Sequence, residues 1–342
     1  MRRRACLALL ALFGACSLPT GPTATDRGAI FDQLWRDVDL HYSFFDLKKI
    51  NWDSLGAVYR PRALAASTEL GFADVVTQLL SELHDPHVYL FAEGQTFMTS
   101  GTQPTIYYPD RTLPTYVSQA RYSPSGRLAS GYASPTVGYI RILTFEGQWP
   151  ATEFDEILAG MASAKTLVID VRDNGGGSAT LAREVAGRFA SNPTTYARIR
   201  YRNGPAHTDF TGFIDRVVTP AGTRHFSGDV YILTNRRSLS ASEDFVLAMK
   251  AAARATIVGD STGGASGSPI VRELPNGWTY QYPEWIEYTL DNKIYEGIGL
   301  APDEVVKASF PDVQRGVDAQ LARALVRASA AAQSAATSPS LR

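Results

Sequence analysis

The sequence predicts an α/β protein, in which an N-terminal helical bundle precedes an α/β core with crossover units. Three observations carry that expectation. Residues 28–90 place apolar side chains at helical spacing in successive segments. From residue 137 onward, β-branched runs alternate with helical patterns, as expected of parallel strands joined by helices. Two of the strand-to-helix joins carry unusual residues, Gly175-Gly176-Gly177 in one and Ser240 in the other.

In chain order, Arg2-Arg3-Arg4 followed by the apolar Ala5 to Phe13 reads as an export signal over residues 1–15, too short to span a membrane as a stable helix. Leu12-Phe13-Gly14-Ala15-Cys16 resembles a bacterial lipobox, which makes Cys16 the expected lipidation site, although Phe13 is a less usual residue there and plain secretory cleavage is the alternative. The Pro/Thr/Gly-rich residues that follow read as a tether up to residue 27. Export places the protein in the bacterial cell envelope. With Cys6 inside the signal, a mature chain keeps no cysteine pair for a disulfide, no Cys-based metal site and no thiol nucleophile.

Ala29 to Phe45 is an amphipathic helix, a second starts near Asn51-Trp52-Asp53, and a third runs from Gly71 to Leu83, where His84-Asp85-Pro86-His87 stops it. Residues 91–136 are polar and punctuated by Gly and Pro, reading as hairpins and loops. Val137 to Phe145 is a strand, Thr152 to Ala164 a helix, and Thr166 to Val171 a near-continuous apolar run typical of a central strand. A helix follows the glycines from Ser178 to about Ala190. Asp229 to Leu233 is the strand before Ser240, and Ala241 to Ala253 the helix after it. Thr256 to Gly259 is a short strand, the aromatic Trp278 to Leu290 reads as a hairpin edge, and Tyr295 to Asp303 as a turn-rich loop. The core is set at residues 137–310. A last helix, Val313 to about Ala331, and an Ala/Ser-rich tail fill residues 311–342.

The apolar fraction of 44%, the charged fraction of 20% and a formal charge of −1 fit an ordinary globular protein and give no footprint for nucleic acid. Neither a Walker ending nor a GxGxxG spacing accompanies the three glycines, so they read as a tight turn or as backbone N–H groups bared to a ligand. No cofactor or metal is called for.

A serine at a strand-to-helix turn projects its hydroxyl outward while the helix N-terminus offers free N–H groups. That arrangement suits a nucleophile, whose oxyanion the following amide can stabilise. The same residues, Ser240-Ala241-Ser242-Glu243, also fit a capping box, in which the serine merely caps the helix.

Several ordered motifs together resemble the tail-specific (C-terminal processing) serine peptidases, in the branch related to the tricorn core and to interphotoreceptor retinoid-binding protein. They are Leu83-His84-Asp85-Pro86-His87, Val168 to Gly177, Ser238 to Glu243, Val258 to Ala265, and Glu296 to Asp303, with Phe44-Phe45-Asp46 and Asn51-Trp52-Asp53 in the helical opening. The resemblance implies a crotonase-like (ClpP-like) core. It makes Ser240 the nucleophile, with an oxyanion hole from Ala241 N–H and a glycine N–H of the Gly175–Gly177 run, Gly176 first and Gly175 beside it. The lysine base of one branch falls at Ala265, with Lys250 and Lys293 outside the motif, so a Ser/Lys dyad is not expected. The tricorn-like branch implies His87 as general base, oriented by Glu296. Pro86 stands where some relatives carry a relaying serine, which leaves Glu296 to reach His87 directly, through water, or weakly. His84 is a rival base; His41, His207 and His225 have no motif around them. Residues 91–136 are too short for the PDZ module that relatives often carry.

Two functions follow. One is a serine endopeptidase acting on extended polypeptide, laid beside an exposed strand, with Trp278, Tyr280, Tyr282 and Trp285 as a candidate wall, although core packing is the expected role of most of these aromatics. The other is a non-catalytic binder of an apolar ligand or peptide on the same scaffold. The oligomeric state is left open.

Overall fold

A computed structural model describes residues 26–101 and 113–337. The export signal, Cys16, part of the 91–136 stretch and the end of the tail lie outside the described residues. Four helices open the chain: α1 (Arg27–His41), α2 (Phe45–Lys48), α3 (Trp52–Leu64) and α4 (Glu69–Ser81). Asp26, Asn51 and Thr68 cap α1, α3 and α4 by accepting backbone N–H bonds at 3.0 Å. Tyr42 turns extended after α1, and Lys49 at φ 55° ends the short α2.

The helices do not close their core alone. A four-stranded sheet, ordered β11-β12-β1-β2, joins β1 (Tyr89–Ala92) and β2 (Gln95–Met98) to β11 (Pro269–Glu273) and β12 (Thr279–Pro283), from much later in the chain. Trp278, Tyr280 and Tyr282 are buried with Phe31, Phe72 and Leu80 in one cluster. They are therefore core, not a substrate wall. The stretch from Trp278 to Leu290 is also not a single hairpin. Beyond Pro283 it continues as β13 (Trp285–Tyr288), which leaves β1 and β11 behind and pairs with β7 (Thr194–Tyr201) in a three-stranded sheet with β8 (Ile214–Val218).

The central sheet has the order β14-β10-β9-β6-β5-β4-β3. Strands β5 (Val137–Ile142), β6 (Thr166–Asp170), β9 (Asp229–Thr234), β10 (Ala255–Gly259) and β14 (Glu304–Val305) pair in parallel. Beyond β5 the short α5 (Leu113–Tyr116) leads into edge strand β3 (Ser118–Tyr122) and its neighbour β4 (Leu128–Ser134), which pair antiparallel. The crossovers run through α6 (Thr152–Gly160), α7 (Ala179–Ala186) and α8 (Ala241–Ala252). Leu167, Ile169, Val230 and Ile232 pack under these helices, while Val168, Tyr231 and Leu233 face α10 (Ala319–Thr337) on the other side. Both faces being covered explains why β6 and β9 are apolar between their end residues.

The C-terminal helix expected from Val313 is broken. Its first part is α9 (Phe310–Gln314); Gly316 then turns left-handed at φ 71°, and Asp318 restarts the helix by accepting Leu321 N–H at 2.9 Å. Asp318 and Asp170 share the buried Arg172 guanidinium, at 2.8 and 2.6 Å, which fastens α10 to the end of β6 and so fixes the start of the glycine loop.

Candidate active site

Strand β9 delivers the chain to α8 through Asn235–Leu239. Ser238 Oγ donates to Val171 O at 2.7 Å, and Leu239 N–H and Ser242 Oγ both donate to Asn174 O, at 3.1 and 2.9 Å. Asn174 is fully buried, and its side chain also donates to Ile142 O at 3.0 Å. One asparagine thus ties the serine turn, the glycine turn and β5 together.

Ser240 sits at φ 54°, ψ −119°, a region that a residue with a Cβ enters only under constraint, at a cost of order 1–3 kcal/mol. Ser240 and Glu243 occupy capping-box positions, and Glu243 Oε2 accepts Ser240 N–H at 3.0 Å. The Glu243 N–H bonds the Ser240 carbonyl oxygen at 2.7 Å and also faces the Ser240 side chain in the capping box, so the side-chain oxygen sits at the cap while its proton has no acceptor. The strained turn leaves the hydroxyl free to donate. Ala241 N–H, at the first position of α8, has no backbone acceptor either.

Glu243 has a role that the sequence did not reveal. Its buried carboxylate also accepts Thr262 Oγ1 at 2.5 Å, Gly264 N–H at 2.8 Å and Ala265 N–H at 2.9 Å, binding the serine turn to the loop after β10. Burial pushes its pKa up, and these donors oppose the shift. Ala265, at the position of the other branch's lysine, is such a donor, and no lysine lines the pocket around Ser240. Lys250 and Lys293 are paired with Asp303 and Asp291.

Gly176 lies against the serine turn. A Cβ there would come within 2.8 Å of Leu239 O and 2.9 Å of both Ala241 N and Ser240 Cβ, at φ +102°. Its own N–H donates to Asn174 Oδ1 at 3.0 Å. This corrects the expectation of Gly176 as oxyanion donor: its N–H is already taken, and its contribution is the bareness of its Cα. Gly175 and Gly177 line the pocket instead.

His87 arrives from the turn after α4. Asp85 Oδ1 accepts its backbone N–H at 2.9 Å, and Gln281 Nε2 donates to its carbonyl at 2.9 Å. The ring's Nδ1 is buried and unpartnered. Burial lowers its pKa below 6.5; Asp85 and the facing Ser266 backbone oppose this, and Lys48 adds to it. His87 and Ser240 line the same pocket, of about 310 Å³, together with Ser266 and Trp285. No direct hydrogen bond joins the imidazole and the hydroxyl.

Glu296 does not reach His87. Its Oε2 accepts Ser266 N–H and Oγ at 2.8 and 3.0 Å, and its Oε1 lies 3.0 Å from Lys48 Nζ. Lys48 also meets Asp85 Oδ2 at 3.1 Å and Tyr42 OH at 2.9 Å, over the Phe44 ring. Burial and the neighbouring Asp85 push Glu296 up to about 8, against the pull of Lys48. Lys48 escaped the sequence reading, since a lysine in a four-residue helix gives no periodic signal; its aromatic flanks were the only hint.

The remaining histidines stand apart. His84, at φ 46°, is exposed; His41 contacts Asp37; His207 pairs with Asp39 and stacks on Phe45; His225 is exposed. Among the described residues no group of three or more His, Cys, Asp or Glu side chains could hold a metal ion. No described helix is long and apolar enough to cross a membrane.

The model of Peptidase family S41 matches residues 136–306, and that of the Tricorn protease C1 domain matches residues 23–81. Among curated proteins, the tail-specific protease of Haemophilus influenzae is 33% identical over 102 residues, 30% of this chain and 13% of that protein. The carboxy-terminal processing protease CtpB of Bacillus subtilis is 32% identical over 131 residues, 38% of this chain and 25% of that protein. The matches thus span a quarter or less of these relatives. A solved structure of a Parabacteroides merdae protein has a TM-score of 0.78 at 26% identity, covering 90% of this chain and 97% of that one. Mature CPAF complexed with lactacystin, at 12% identity and a TM-score of 0.67, covers 89% of this chain and 97% of its own, and shares the fold.

Proposed function

Because the chain belongs to peptidase family S41, we propose that it is a serine endopeptidase that hydrolyses extended polypeptides, with Ser240 as nucleophile and His87 as general base. His87 takes the Ser240 proton as Oγ attacks the scissile carbonyl. Ala241 N–H and an N–H of Gly175 or Gly177 receive the oxyanion. The imidazolium then gives its proton to the leaving amine; water, deprotonated by the same ring, attacks the acyl carbon, and the ring returns that proton to Ser240 Oγ as the acid departs. Ring and hydroxyl close to hydrogen-bond distance when substrate fills the pocket, as catalytic pairs in ligand-free enzymes often do.

The carboxylate acts at one remove in this scheme. Glu296 holds Ser266, whose backbone faces His87, so it positions the imidazole without touching it. The observation that carries the proposal is the convergence of a strained serine, whose hydroxyl proton has no acceptor, and a half-buried histidine of lowered pKa on one pocket. Digestion of an unfolded protein substrate tests it: cleavage that vanishes in Ser240→Ala supports the reading, and equal cleavage in both proteins removes it.

The missing Glu296–His87 contact favours a second reading, a binder of peptide or apolar ligand on the same scaffold. A wild-type protein that retains such a ligand and cleaves nothing would establish it. Export to the cell envelope and anchoring through lipidated Cys16 belong to the proposal as well; the intact mass of the membrane fraction, with and without Cys16→Ala, decides them.

A further inference from the structure

We propose that the wall of the Ser240 pocket formed by Asp244, Glu287 and Arg216 is a subsite for a cationic substrate side chain, a lysine or arginine next to the scissile bond. The inference rests on the peptidase reading of this pocket and adds its specificity.

Asp244 follows Ser240 by one turn of α8, about 6 Å along the helix axis, within the reach of a long basic side chain. It is 4% exposed, and Glu287, from β13 opposite, is 3% exposed; both line the pocket that holds Ser240. Each is only half satisfied. Asp244 Oδ1 accepts Tyr196 OH and Arg216 Nη2, both at 2.8 Å, while Oδ2 has no hydrogen-bond partner. Glu287 Oε2 accepts Tyr295 OH at 2.6 Å, while Oε1 has none, Arg216 Nε standing off at 3.6 Å.

Buried carboxylate oxygens are costly when unpaired, so a native site that keeps two of them in its catalytic pocket is built for a donor that arrives from outside. The arginines present do not fill these oxygens. Two carboxylates face one guanidinium that is already engaged by Asp244 and Tyr196 and stacked over Trp285. The next cation, Arg183, is 3.9 Å from Asp244 Oδ2. The two unpaired oxygens are acceptors, so the group that fits them is a donor, which a cationic side chain supplies.

The site carries its own reporter. Burial first, then Asp244, pushes Glu287 up to about 8, with Glu243 adding to the shift and Arg216 and Tyr295 opposing it. A cation bound beside Glu287 opposes that rise, so binding favours the ionised carboxyl and releases protons.

The test uses benzamidine and the Ser240→Ala protein, which binds without turnover. Calorimetry at pH 7 in two buffers of different ionisation enthalpy is expected to show saturable binding with release of up to about one proton. In Ser240→Ala/Glu287→Gln, binding weakens roughly tenfold to a hundredfold and proton release disappears. Should that variant unfold, competition in the wild-type protein decides instead: benzamidine slows fluorophosphonate labelling of Ser240, and neutral propylbenzene at the same concentration does not. Absence of benzamidine binding, equal affinity in the Gln variant, or equal competition by the neutral probe overturns the subsite. Labelling of Ser240 without benzamidine binding sinks this inference alone. Benzamidine binding without any labelling supports the cation site and sinks the peptidase reading.

Discussion

Glu296 grips Ser266 twice, through the backbone N–H at 2.8 Å and through Oγ at 3.0 Å, and makes no bond to His87. The geometry replaces a direct carboxylate–imidazole contact with a carboxylate that shapes the backbone against which the imidazole lies.

Glu296→Gln keeps an acceptor for Ser266 and removes the titratable carboxyl beside Lys48. Its kcat is expected to fall about tenfold, in the range typical of residues that orient a catalytic group, with KM little changed. Glu296→Ala frees Ser266 altogether and is expected to fall further. Steady-state kinetics on both variants check the order; equal loss in the two would mean that the ionisable carboxyl, and not its hold on Ser266, matters.

Among the described residues, Lys48 bridges buried Asp85 and Glu296. Lys48→Met leaves that buried acidic pair without its cation and is expected to cost about 3–5 kcal/mol of folding stability. Urea unfolding measures this. A loss under about 1 kcal/mol would show that the carboxylates re-protonate or reach water at little expense.

The pH profile follows from the direction of the His87 shift. A general base works in its neutral form, and a pKa lowered by burial keeps the ring neutral to a lower pH. The acid limb of kcat/KM in the free enzyme is therefore expected below 6.5, the ordinary histidine value. A limb above that value would place a dominant carboxylate against the ring.

Much of this was legible in the chain. The helical opening and the alternation from Val137 onward describe the α/β architecture, because period and β-branching follow directly from which faces are covered. Ser240 and the glycine run stood out because sharp strand-to-helix turns need unusual residues. The rest depends on contacts that sequence distance hides. Tyr280 and Tyr282 pack beneath helices that end some 200 residues earlier, and nothing local distinguishes that core from a substrate wall. The Gly176 N–H is occupied because Asn174 turns back on it. Lys48 matters only because Asp85 and Glu296 arrive from elsewhere.

Gly176→Ala probes the bare Cα. With φ at +102° and a Cβ within 2.9 Å of Ala241 N, the serine turn must shift. A stability loss of about 1–3 kcal/mol is expected, with a rate loss out of proportion to it, roughly a hundredfold or more. Thermal unfolding and turnover measured on the same sample separate the two.

The most direct trial of the central claim is covalent labelling by a fluorophosphonate, followed by mass mapping of the modified peptide. The expected result is a label on Ser240, absent in Ser240→Ala and strongly slowed in a folded His87→Ala. Labelling of the wild type on another residue only, or at an undiminished rate in His87→Ala, would contradict a Ser240 nucleophile driven by a His87 base.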